Sequence, residues 1–195
     1  MSERGQAFTL EAITASLLLI GGLVFALQAT AVTPLSASTS SQHIENQQQA
    51  VAEGALTTAL EDGSLRRAVL FWDRSNSEFH GASERYYVDD TPDNEFGDAL
   101  DRAFGSRNIV ANVYIHYREG DRRIRQRMIY RGEPSDNAVS ASVVLTLFDD
   151  DVVHDSSGDP TGPRLDSTPD FYVSDANTGS GVYNIVEVEV VVWRQ

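Results

Sequence analysis

IVANVYIHYREGDRRIRQRMIY, residues Ile109 to Tyr130, alternates with a period of two on both sides of a turn. Ile109, Ala111, Val113, Ile115 and Tyr117 share one face of the first arm. Glu119-Gly120-Asp121 makes the turn, and Ile124, Gln126, Met128 and Tyr130 face one way on the return. Side chains of a strand point alternately to its two faces, so this pattern predicts an antiparallel hairpin. On the other face of the return arm Arg123, Arg125 and Arg127 point the same way.

Outward from the hairpin the same period continues. A third strand is predicted from Val139 to Phe148. A last one runs from Val182 to Trp193, with Val186, Val188, Val190 and Val192 on one face and Glu187 and Glu189 on the other. Asp149 to Asp170 separates them as an acidic loop with seven Asp and three Pro. On the N-terminal side Phe96, Leu100 and Phe104 recur every four residues, which predicts a short helix capped by Asp93 or Asn94 and ended by Gly105. Residues 73–95 read as loop, with a short strand candidate from Tyr86 to Val88. The expected head, residues 73–195, is an antiparallel sheet of about four or five strands, which needs a helical cover to bury its apolar face.

Further upstream, Ile44, Val51, Ala55, Leu56, Ala59 and Leu60 form a helical stripe between polar positions. Asp62-Gly63 breaks it, and Ser64 is placed to cap a further turn through Leu70. The 33 residues between Glu11 and Glu45 contain no Asp, Glu, Lys or Arg. Their first part, AITASLLLIGGLVFALQATAV (Ala12 to Val32), carries one amide, Gln28. A bilayer core of about 30 Å needs about 20 apolar residues at 1.5 Å each, so a transmembrane helix is expected. Arg4 precedes it and a long acidic domain follows, which sets the N-terminus inside and the bulk outside. Pro34 is expected to kink the helix rather than end it. The expected fold class is α+β: a long N-terminal hydrophobic helix, transmembrane or spine, followed by a helix-covered antiparallel β-sheet head.

RGQAFTLEAITASLLLIGGL (Arg4 to Leu23) resembles the leader of type IV pilin-like proteins, called a class III signal peptide in archaea. Arg4, Gly5, Gln6, Phe8, Thr9, Leu10 and Glu11 have counterparts in the pattern of that family. The layout of the whole chain is similar to haloarchaeal pilin-like proteins. The resemblance implies residues 1–6 as a cytoplasmic leader, 7–33 as the membrane and filament-core helix, and 34–72 as its helical continuation. It implies a prepilin-type peptidase cutting at Gly5/Gln6 or one bond later, after Gln6. It implies partners in the membrane and in other pilin-like subunits, contacted through the N-terminal helix. A carboxylate at a lipid boundary is costly alone. Glu11 would therefore pair with the new N-terminal ammonium of a neighbour and set subunit register. Gly21-Gly22 would permit close helix approach.

Composition narrows the classes. All 15 cations are Arg, none is Lys, and Asp outnumbers Glu 17 to 12. That acid-rich, lysine-free balance is similar to proteins of salt-in halophilic microbes. A net charge of −14 argues against general nucleic-acid binding, which needs clustered cations. Absence of Cys excludes disulfides, thiolate zinc and thiol nucleophiles. The four His (His43, His80, His116, His154) show no metal spacing, and no catalytic motif occurs, so neither metal, cofactor nor enzyme activity is expected. The acidic run Asp149, Asp150, Asp151, Asp155, Asp159 lacks calcium-loop spacing and reads as a solvated loop. For Arg123, Arg125 and Arg127 three readings stand, in this order: pairing with Glu187 and Glu189 on a solvated face, a subunit interface with an acidic neighbour, and DNA contact.

The expected function is a membrane-anchored pilin-like subunit, a minor pilin or pseudopilin-like component, with its head outside the cell. The alternatives are a single-pass anchored binding module that does not polymerise and an exported enzyme of unrecognised type.

Overall fold

A computed structural model describes residues 3–105 and 108–194, with side chains described for residues 11–26, 42–105 and 108–194. The elements are α1 (Glu3–Glu61), α2 (Ser64–Val69), β1 (Trp72–Asp73), β2 (Glu78–Phe79), α3 (Glu95–Phe104), β3 (Ile109–Glu119), β4 (Arg122–Ile129), β5 (Val139–Phe148) and β6 (Val182–Arg194). Contacts divide the chain into two compact units, Met1–Ile44 and Glu45–Gln195.

The second unit is α+β. Its main sheet has the order β4-β3-β6-β5 with every pairing antiparallel. β3 and β4 are joined at Gly120, whose φ of 58° supplies the left-handed conformation of a tight hairpin turn. One sheet face is apolar: Val113 and Ile115 of β3, Leu145 and Leu147 of β5, and Val186, Val188, Val190 and Val192 of β6 are buried. Ala52, Leu56 and Ala59 of α1, Leu65 and Val69 of α2, and Phe96, Leu100 and Phe104 of α3 belong to the same core cluster. The spacing of three and four in each helix is what places these side chains on one stripe. Asn94 caps α3, its Oδ1 accepting from the backbone N–H of Phe96 and Gly97 at 3.1 Å each.

Residues 73–95 are not wholly loop. β1 and β2 form a two-stranded ribbon held by an edge-to-face pair, Trp72 and Phe79, with ring centroids 5.1 Å apart. Tyr87 pairs with Ile129 as an isolated parallel bridge at the edge of β4. The N-cap of α2 is Gly63, not Ser64. Asp62 does the capping work, accepting from the Ser64 N–H at 2.8 Å, and its hydrogen bonds with Ser64 hold its carboxyl below the usual range.

In the first unit the sequence-based expectation needs correcting. Among the described residues no helix is long and apolar enough to cross a membrane. The described part of α1 in this unit carries Ile13, Leu17 to Ile20, Leu23, Val24 and Phe25. It also includes Glu11, Thr14, Ser16, Gly21 and Gly22. α1 is long, but a long hydrophobic N-terminal helix, transmembrane or spine, is not what these residues form. Pro34 falls inside α1.

Candidate functional site

Two places carry features that folding of the chain does not use, and each lies within one unit. The first is the residue 11–26 stretch of α1. Ile13, Leu17, Leu18, Leu19, Ile20, Leu23, Val24 and Phe25 are all exposed, Leu19 at 76% and Phe25 at 74%. Leu17 to Ile20 are consecutive, so they cover every side of one helical turn rather than a stripe. A helix apolar all round belongs in a buried setting, and so large a cluster left in water marks an interaction surface. Ser16 turns its hydroxyl back to the Ala12 carbonyl at 2.7 Å, so it presents little polarity outward. A Cβ at Gly21 or Gly22 would meet nothing within 4 Å. Glu11 is exposed at the start of the stretch, and the described residues give it no ion pair. Gly5 and Gln6 lie outside the residues whose side-chain surroundings are described.

The second place is the sheet face opposite the core. Arg123, Arg125 and Arg127 project there from β4. Arg123 Nη2 donates to Glu187 Oε2 at 2.6 Å, and His116 Nε2 lies 3.0 Å from Glu189 Oε2. Arg125 stacks over Tyr114 at 4.5 Å. Arg127 sits 3.9 Å over Tyr130 and 5.5 Å over Tyr86. Each such cation–π contact is worth about 0.5–1 kcal/mol on an exposed surface. Tyr130 was expected on the face of Ile124, Gln126 and Met128, opposite the arginines. A register shift between Val113 and Tyr114 breaks the β3–β4 ladder at this point, and both Met128 and Ile129 are buried in succession. One extra residue reverses the alternation and brings Tyr130 to the arginine face. The hydroxyl of Tyr130 donates to Glu133 at 2.6 Å, and that bond pushes its pKa up.

Beside this row lies an open depression of about 270 Å³ lined by His116, Arg118, Arg123, Val144, Ile185 and Glu187. Val144 and Ile185 are 59% and 58% exposed. The sequence analysis assigned neither position to a face and so did not mark them as a patch. A second depression, about 230 Å³, lies between Arg67, the start of α3 and His154. There Arg67 pairs with Glu95, and His154 Nδ1 lies 2.8 Å from the Gly158 carbonyl. Among the described residues no three His, Asp or Glu are grouped to hold a metal ion.

The acidic loop is built rather than merely solvated. Asp155 accepts from the Ser157 and Asp159 N–H groups and from the Thr161 hydroxyl at 2.7–3.1 Å, which hold its carboxyl low. Asp151 binds Arg66 at 2.5 Å and caps the end of β5 through the Phe148 N–H.

Fold and surfaces together define an α+β protein whose described residues present an exposed apolar helical stretch and an arginine–tyrosine sheet face. The chain belongs to a family of unknown function, DUF7288, whose model matches residues 4–192. No curated protein and no solved structure matches it.

Proposed function

We propose that the protein is a pilin-like structural subunit of a surface filament or secretion-type machine, carried at the cell membrane with its acidic head outside. The observation that supports this is the exposure of eight large apolar side chains around one short helical stretch with a carboxylate at its entrance. Equivalent helices of neighbouring subunits cover those side chains. Small residues at Ala15, Ser16, Gly21 and Gly22 let the helices approach closely. A prepilin-type peptidase removes the short leader at Gly5/Gln6 or after Gln6, and Glu11 pairs with the ammonium that the cut creates on another copy.

N-terminal sequencing of the mature protein, with assembly followed for Glu11→Ala, tests this. The expected start is Gln6 or Ala7, with assembly lost in the variant. An uncut chain whose assembly state ignores Glu11→Ala rejects the reading and leaves a single-copy binding module.

A further inference from the structure

The sheet has two edges of opposite character. β4 carries Arg122, Arg123, Arg125 and Arg127 and no acid. β5 reads VSASVVLTLF, without charge or proline. Natural sheets guard a free edge with charge, proline, a bulge or a covering element, because its unpaired N–H and C=O groups template another strand. β5 lacks these devices until Thr146, whose carbonyl is covered by Arg66, and the register shift at Leu147/Phe148.

The open groups can be located. Arg66 Nη2 donates to the Thr146 carbonyl at 2.9 Å, so Thr146 turns its backbone away from β6. By alternation Ser140, Ser142 and Val144 turn theirs the same way, and all three are exposed. On β4 the far end is closed, because Tyr87 takes the Met128 carbonyl at 2.9 Å and gives its own to the Tyr130 N–H at 2.8 Å. Gln126 Nε2 donates to the Arg127 carbonyl at 2.9 Å, so the edge from Arg122 to Arg125 is what remains open.

Every pairing is antiparallel and the strand number is even, so β4 and β5 run in opposite directions. Two copies in the same orientation therefore meet β5 to β4 as antiparallel neighbours, and the sheet continues without reversal. The C-terminal end of β5, followed by Asp149 and Asp150, then lies against Arg122 and Arg123 at the start of the neighbouring β4. Arg122 is 78% exposed, and its nearest acid, Glu119, is 4.0 Å away. β4 against β4 would set arginine against arginine. β5 against β5 would leave the acidic ends without cations and reverse one copy.

We propose that β5 of one copy adds to β4 of the next in the same orientation, building an open head-to-tail array of heads. Such a contact is heterologous and does not close on itself, as a filament requires. It stands on the sheet alone and would hold even if the N-terminal helix had another role.

The chain has no Cys, so engineered pairs report cleanly. The full chain carrying Arg125→Cys and Val144→Cys, kept in mild detergent in a Glu11→Ala background, is oxidised and resolved by size. The background separates edge pairing from helix-driven assembly. A ladder of dimers, trimers and higher species is expected, and adding Ser142→Lys abolishes it while far-UV circular dichroism stays unchanged. No ladder, or a ladder indifferent to Ser142→Lys, overturns the proposal. So does efficient dimerisation of Val144→Cys alone, which marks a two-fold β5–β5 pair instead.

Discussion

Arg127 and Tyr130 show what a single residue can conceal. Their stacking at 3.9 Å needs both on one face, yet they are three apart on a strand, where strict alternation puts them on opposite faces. Only the bulge opposite Val113/Tyr114 reconciles them, and an inserted residue leaves no mark in the alternation of polar side chains around it. Asp149 is a second case. It reads as one more solvated acid, but partial burial, and then the charges of Asp175 and Asp166, push its pKa up. Its Oδ1 is buried without a partner among the described residues. A carboxyl with a raised folded-state pKa holds its proton to higher pH than the unfolded chain does. The fold is then favoured below the ordinary value of 3.8 and loses stability as pH rises through the window just above it. Asp149→Asn is expected to raise the thermal midpoint at pH 7, and the gain should vanish as the pH is lowered to 4. A variant less stable than the parent at both pH values would show that the carboxylate is not under strain.

At the scale of elements, legibility followed length. The sequence-based limits of β5, Val139 to Phe148, agree with the structure, and those of β6 differ by one residue. Runs of ten or more residues give the alternation room to declare itself. β1 and β2 have two residues each and carry no period, so their pairing depends on Trp72 meeting Phe79. In α3 the Asn94 cap was readable because a short polar side chain before an apolar repeat has one economical use. Gly97 was not. A Cβ there would lie 1.9 Å from the Pro92 carbonyl oxygen, since the chain entering α3 folds back against its first turn. Gly97→Ala should move α3 off that segment and cost about 1–3 kcal/mol, by the usual penalty for overpacking a tight contact. Urea unfolding followed by circular dichroism measures it, and a loss below about 0.5 kcal/mol would mean that the entry loop yields freely.

For the whole molecule the excess of 14 negative charges opposes compaction. Several aspartates are held by hydrogen bonds or by Arg66, but the net self-repulsion is long-ranged and yields to screening. The unfolding midpoint should therefore rise steeply from low salt to molar salt, where the screening length falls to about 3 Å. Thermal melts across that range check it, and a flat response would show that local ion pairs already neutralise the surface. By itself the sequence determined the four strands of the main sheet, a cap for α3 at Asp93 or Asn94, the arginine row and the uncharged apolar stretch near the N-terminus, because each is a local period or a local composition. Only the tertiary structure decided that those large apolar side chains stay exposed and that, among the described residues, no helix is long and apolar enough to cross a bilayer. It alone ordered the strands β4-β3-β6-β5, so that a basic and a neutral edge flank one sheet. Strand order, edge exposure and the faces left uncovered depend on contacts between residues far apart in the chain, and no local period encodes those.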